Sequence, residues 1–166
     1  MADPLRTASG DELAIAPATS ADEPDLFALY ARVVEDGGSF PHSPPADDAT
    51  FRGAWLDGMT AVVVGRVDGR LAGSYYLRPN FPGIAGHIAN AGYMVVPELR
   101  GRGIGRALAE HSLEEARRLG FDAMMFNLVF EDNPSRRLWE ALGFEEIGRV
   151  PKAFGDQAAI MYWRAL

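Results

Sequence analysis

The chain has 166 residues, 48% of them hydrophobic and 23% charged, with a formal net charge of −7. That length and polarity suit one domain able to bury its own core, and the acidic balance argues against nucleic acid as a partner. Cysteine is absent, which removes disulfides, thiolate metal sites and a cysteine nucleophile, and no apolar run approaches the ~18 residues of a membrane span.

Residues 1–11 read as a flexible polar tail ahead of a single domain at 12–166, and their lack of an apolar stretch makes the cytoplasm the expected location. Residues 13–17 suit a first strand. Leu26, Phe27, Leu29, Tyr30, Val33 and Val34 recur at helical spacing within residues 21–35, behind Asp22, Glu23 and Pro24. A glycine- and proline-rich loop follows to Pro45, then a shorter helix at residues 47–56. Strands at 60–67 and 71–77 flank Asp68-Gly69, a hairpin signal. A long strand at 87–96 precedes a helix running from Gly103 to about Leu119, closed by Gly120. Residues 123–130 are almost wholly apolar, as in a strand buried on both faces. A short helix at 133–142 and strands at 145–150 and 158–163 complete a mixed α+β order without repeats. Trp55, Phe81 and Trp163 suit either a core or a homodimer interface.

The most informative stretch joins Val95 and Val96 to the loop Arg100-Gly101-Arg102-Gly103-Ile104-Gly105-Arg106. A strand stops at Pro97, glycines alternate, and a helix begins. The unpaired N–H groups of a helix start, aided by the dipole, favour an anion, and glycine lets a ligand approach the backbone. Three arginines reinforce this in an acidic chain, each charge-assisted contact contributing about 1.5–3 kcal/mol where desolvated. Walker A is excluded because Lys152 is the only lysine, and the dinucleotide fingerprint fails in its glycine spacing. A solvated glycine turn with surface arginines is the bland alternative. No histidine–carboxylate cluster suggests a metal.

Arg100-x-x-Gly103-x-Gly105 after an apolar strand resembles the acetyl-CoA loop of the GNAT family of N-acetyltransferases. Asn133-x-Ser135-x-x-Leu138-Trp139-x-x-x-Gly143-Phe144 resembles that family's second block, 33 positions downstream. The resemblance implies a mixed, mostly antiparallel twisted sheet of about 6–7 strands, flanked by about four helices, with two central strands splayed apart. Acetyl-CoA would be the co-substrate. Its pantetheine would enter the splay and pair with backbone groups of Met94 and Val96, with Val95 also at the cofactor, and its pyrophosphate would lie on residues 101–106. Asn133 and Trp139 would contact the pantetheine, and Ser135 or Arg136 the far end. Many members carry a tyrosine acid where Trp139 stands; an indole does not titrate, so the thiol, with an ordinary pKa of about 8.5, would leave as thiolate, or Tyr93 or water would substitute for the acid.

The chain has four asparagines, and Asn127 interrupts the apolar run 123–130. A buried, unpaired amide costs roughly 1–3 kcal/mol, so Asn127 either bonds a neighbouring strand or faces substrate. The segment from Phe126 to Val150 is similar to a fungal branch of the family that acetylates the proline analogue azetidine-2-carboxylate. That resemblance implies that Asn90 meets the acceptor's carboxylate, while Asn127 and Asn133 serve catalysis beside the attacking nitrogen. Phe40 and Glu35 would border the acceptor, Glu35 also being a candidate base. His87 is a further candidate base, whereas His42 and His111 read as structural or exposed. The expected reaction is direct acetyl transfer in a ternary complex onto a small amine, amino acid or imino acid. Acetylation of a protein N-terminus or lysine, a non-catalytic acyl-CoA-binding module, and a nucleotide-binding protein of another fold are the alternatives.

Overall fold

The computed structural model describes residues 5–37 and 40–166. Eight strands form one sheet in the order β1-β2-β3-β4-β5-β6-β8-β7. They are β1 (Leu5–Arg6), β2 (Glu12–Pro17), β3 (Ala61–Val67), β4 (Arg70–Pro79), β5 (Ile88–Val95), β6 (Ala123–Phe130), β7 (Glu145–Phe154) and β8 (Gln157–Ala165). Every neighbouring pair is antiparallel except β5 with β6. Asp68 and Gly69 both take positive φ, 50° and 75°, as the two-residue turn that matches strand twist requires.

The sheet's two faces bury different helices. Helix α1 (Glu23–Asp36) lays Leu26, Leu29, Tyr30, Val33 and Val34 against Val64 and Met94. Helix α3 (Ile104–Arg118) lays Ile104, Leu108 and Leu113 against the opposite face, where Tyr75, Leu77 and Ala91 point. Strand alternation therefore sends Ser74, Tyr76 and Arg78 of β4, with Asn90, Gly92 and Met94 of β5, toward α1. Helix α4 (Arg136–Ala141) seats Trp139 on the α3 side. Asp22 anchors the start of α1. Burial opposes its ionisation, yet hydrogen bonds from Thr19 and the guanidinium of Arg66 prevail and hold its carboxyl below the usual range.

Three expectations are corrected. The sheet has eight strands rather than 6–7, because Leu5–Arg6, inside the span read as a tail, pairs with Glu12 and Leu13; residues 1–4 lie outside the described residues. The helix expected at 47–56 is one α-helical turn, α2 (Asp48–Phe51), continued by a π-helical turn, Arg52–Leu56. That widened turn carries Trp55 into the core, where its Nε1 donates to Ser74 Oγ at 3.1 Å. Finally, β6 is buried in its first half but exposes Leu128. Its pairing with β5 ends at Ala89–Met124, and beyond that point the two strands part.

Candidate active site

The parting of β5 and β6 opens a cavity of about 720 Å3 between Tyr93, Met94 and Val95 on one side and Asn127, Leu128 and Val129 on the other. Asn90 stands at its vertex. One residue past the last β5–β6 bridge, its Nδ2 donates to Met125 O at 3.0 Å, so a side chain replaces the missing ladder bond. Its Oδ1 accepts from the Tyr76 hydroxyl at 3.3 Å. Asn127 is oriented by a residue the sequence reading passed over: Asn80, just beyond β4. The two amides bond reciprocally, Asn80 Nδ2 to Asn127 Oδ1 at 2.9 Å and Asn127 Nδ2 to Asn80 Oδ1 at 2.7 Å. Each amide keeps one N–H and one carbonyl lone pair for other partners. The available signal was its type, since Asn80 is the one of the four asparagines that falls in neither a motif nor a candidate strand.

The backbone phase differs from the expectation. Val96 N–H donates to Ala72 O at 2.9 Å, so the even-numbered residues of β5 direct their polar groups to β4. Met94 and Val96 are therefore committed to the sheet, and Tyr93 and Val95 turn theirs toward the opening. Met94 and Val95 still line the cavity by their bulk, whereas Val96 does not.

The glycine loop closes one end of the cavity. Gly101 and Gly103 take φ of 76° and 85°, and α3 begins immediately at Ile104. A Cβ on Gly103 would stand 2.9 Å from the Ala8 nitrogen, whereas one on Gly101 would meet nothing within 4 Å. The turn after β1 braces this loop: Arg102 pairs with Asp11, and the single Ser9 hydroxyl proton is shared between Asp11 Oδ2 at 2.5 Å and Arg102 O at 2.9 Å. The Ser9 hydroxyl and then the Arg102 guanidinium hold the Asp11 carboxyl below its usual range, against its desolvation. Arg106 pairs with Glu110 at 3.2 Å, and Arg100, at the cavity, lies 3.7 Å from Asp36. The loop thus offers backbone amides with arginines around them, a cradle that fits a pyrophosphate.

Asn133, Ser135 and Trp139 line the cavity, with Ser135 N–H donating to Asn133 Oδ1 at 2.9 Å. Arg136 turns the other way: its Nε donates to Tyr162 Oη at 2.9 Å and its Nη1 to Glu131 O. Phe40 lines the cavity, but Glu35 is exposed and absent from its walls. The other candidate base, His87, is also remote, exposed with its Nδ1 on Ile84 O at 2.9 Å. His111, read as structural or exposed, bonds the Tyr75 hydroxyl at 2.7 Å. Tyr93 cannot replace the missing acid. Its hydroxyl points into the core at Ser112 Oγ, 2.7 Å away, and burial raises its pKa beyond useful range despite that bond. Its ring lies tilted by 40° against Trp139, with the centroids 5.0 Å apart.

Tyr76 is the tyrosine that does reach the site. Its ring crosses Gly92, where a Cβ would stand only 2.5 Å from Tyr76 Cε1, and burial raises its pKa. It also lines a second cavity of about 360 Å3 that abuts the first through Phe40 and Pro41. His42, in its loop as expected, lies there half-buried, with burial lowering its pKa. Trp55 forms part of the same wall.

Residues 25–144 match the model of the Acetyltransferase (GNAT) family. The chain is 48% identical over 130 residues to the N-acetyltransferase aca1 of Schizosaccharomyces pombe, a match covering 78% of this chain and 56% of that protein. It is 30% identical over 139 residues to an L-methionine sulfoximine/L-methionine sulfone acetyltransferase of Pseudomonas aeruginosa, covering 80% of each. Among solved structures, a GCN5-related N-acetyltransferase from Kribbella flavida superposes with a TM-score of 0.86 at 35% identity, covering 93% of this chain and 98% of that one. The fold is shared too with yncA of Salmonella typhimurium, solved with acetyl-CoA (TM-score 0.81, 23% identity, 93% of this chain and 94% of that one). The splayed strands, the braced glycine loop and these matches together make the chain a member of the GNAT acetyltransferase family.

Proposed function

We propose that the chain moves an acetyl group from acetyl-CoA onto the nitrogen of a small amine, amino acid or imino acid, with azetidine-2-carboxylate the first acceptor to test. The observation that carries this reading is the opened wedge between β5 and β6, with amides at Asn90 and Asn127 and the α3 glycine loop at its end. The acetyltransferase names of the fission-yeast and Pseudomonas relatives support it, the latter naming small amino-acid derivatives. Bound in the wedge, acetyl-CoA supplies an activated acyl group. The outward backbone of Tyr93 and Val95 can hold its amide-bearing arm, and the amides before Ile104 can take its phosphates. Asn127 offers the acceptor nitrogen a hydrogen-bond acceptor, and Asn80 keeps that carboxamide in place. With no cysteine to carry the acetyl group, the neutral amine attacks the thioester carbonyl itself: the C–N bond forms, the C–S bond breaks with its electron pair leaving on sulfur, and the surplus proton on nitrogen passes to solvent. The thiol's ordinary pKa of about 8.5 lets it depart as thiolate without a tyrosine acid.

The test is CoA release from acetyl-CoA over a panel of amines, amino acids and proline analogues. Asn127→Ala is expected to lower kcat about 100-fold, the scale of one preorganised donor or acceptor. Asn80→Ala acts only by loosening Asn127 and is expected to lower kcat about tenfold, with the acetyl-CoA KM unchanged. Turnover that survives Asn127→Ala would remove the asparagine from the mechanism. Binding of acetyl-CoA with no acetylation of any amine would remove the enzyme reading.

The pH profile follows from the lining. Among the described residues, the one carboxylate on the cavity wall, Asp132, is exposed and holds Gln157 at 2.9 Å, and no histidine lines this cavity. A lysine-like amine is mostly protonated at pH 7, and neutralising it costs about 4–5 kcal/mol at 1.36 kcal/mol per pH unit. The acceptor then loses its proton to solvent before attack. We expect log kcat/KM for such an amine to climb about one unit per pH unit from pH 6 to 9. A plateau that starts near neutral pH would instead report a protein base.

A further inference from the structure

The second cavity is a built site that the acetyl-transfer reading does not use. Its walls are aromatic: Tyr30, Phe40, Trp55 and Tyr76 surround a volume of about 360 Å3. Two of the residues that line it carry a polar atom buried without a hydrogen-bond partner among the described residues, Tyr30 Oη and His42 Nδ1. Tyr30 is only 1% exposed, so its unsatisfied hydroxyl carries a desolvation cost that a ligand group would offset. Among the described residues, the cavity's one arginine or lysine is Arg78. No carboxylate pairs with it among the described residues, and its guanidinium lies 5.7 Å from the Tyr76 ring centre. Most other arginines of the chain are already paired with acids, including those of the glycine loop. Register places Arg78 directly opposite Asn90, on the same sheet face.

Resting on the reading above, we propose that this cavity is the acceptor's recognition pocket and that its occupant is an α-amino or α-imino acid. The acceptor's carboxylate pairs with Arg78. Its side chain enters the aromatic box, where the Tyr30 hydroxyl donates to a hydrogen-bond acceptor on it, and its nitrogen is left at the Asn90–Asn127 vertex. Tyr76 forms the partition between the two cavities, so the acceptor is held on one side of it and acetylated on the other. A guanidinium fork suits a carboxylate because it can donate two parallel N–H bonds, which neither an amide nor a methylene can accept in the same way. The resemblance drawn from sequence gives the carboxylate to Asn90. Asn90 is bonded on both sides, to Met125 O and Tyr76, and fits the role of strut better.

The experiment compares matched triplets of acceptor: an acid, its carboxamide and its decarboxylated amine, for azetidine-2-carboxylate and for a polar α-amino acid. Rates are measured with wild type, Arg78→Met, Arg78→Lys and Tyr30→Phe. Because each triplet is read in every variant, differences in amine basicity cancel from the comparison. We expect the acid-to-amide ratio of kcat/KM to fall at least tenfold in Arg78→Met and to be partly retained in Arg78→Lys, with the acetyl-CoA KM unchanged. Tyr30→Phe, which removes one oxygen and keeps the ring, is expected to raise the acceptor KM several-fold for polar side chains and to leave the acid-to-amide ratio alone. An acid-to-amide ratio equal in wild type and Arg78→Met overturns the carboxylate site while leaving acetyl transfer intact. If wild type binds acetyl-CoA and acetylates no member of any triplet, the small-amine reading falls first and the pocket assignment with it.

Discussion

Gly103→Ala is expected to weaken acetyl-CoA binding at least tenfold and also to lower the melting temperature. Gly103 has φ +85°, a conformation that costs an L-residue about 1–2 kcal/mol, and its new methyl would stand 2.9 Å from the Ala8 nitrogen and 3.2 Å from the Ala8 Cβ. Backbone on both sides leaves no flexible chain end to give way, so either the loop or the turn after β1 must shift. Gly101→Ala is the informative partner. It has nearly the same backbone strain, φ +76°, but open space around the added methyl, which lies at the wall of the main cavity. It should weaken the cofactor and spare the contact with Ala8. Isothermal titration with CoA and thermal melts on both variants check this. Equal melting temperatures for the two would show that the Ala8 contact does not restrain the loop.

Gly92→Ala is expected to damage the acceptor side with equal force and the cofactor side hardly at all. An added methyl would lie 2.5 Å from Cε1 and 2.9 Å from Cζ of Tyr76, so the ring must leave its place across β5. That ring packs edge-on against Trp55 at 5.0 Å and holds Asn90 through its hydroxyl, so its displacement disturbs both cavities at their partition. Overpacking of this kind costs about 1–3 kcal/mol in stability. We expect kcat/KM for the acceptor to fall 30-fold or more with less than a threefold change in the acetyl-CoA KM. In a Tyr76→Ala background the same Gly92→Ala change should have little further effect, since the clash has gone. Additive losses in that double variant would place the damage elsewhere than the ring.

The parts of this molecule legible in the sequence are those written in local chemistry. The Asp68-Gly69 hairpin, the apolar stripe of α1 and the glycine loop before α3 each depend on residues within one short window, and each appears where those residues put it. The splay could be anticipated only through resemblance, because nothing in the eight residues of β6 reveals that β5 leaves it after Met124. Long-range partners were out of reach. Asn80 sits in no motif, and its bond to Asn127 joins residues 47 positions apart. Strand phase was lost for a related reason. Motifs place Met94, Val95 and Val96 at the cofactor, but which of them turns its amide outward depends on the register with β4. Arg136 looked like a cofactor residue by position and is drawn away by Tyr162 on β8. The side pocket is assembled from Tyr30, His42, Trp55 and Arg78, four residues from separate elements that each have an ordinary explanation alone.

The turn that braces the glycine loop follows a strand of only two residues at the edge of the sheet. Edge segments with so few ladder bonds open at a fraction of the free energy needed to unfold a domain. The geometry proposed to receive the phosphates is therefore under the control of one of the least stable pieces of the molecule. By thermodynamic reciprocity, whatever the docked turn contributes to holding the cofactor, the cofactor returns in holding the turn. Warming short of global unfolding should thus disarm the enzyme first at its beginning, as a loss of affinity with the sheet still intact.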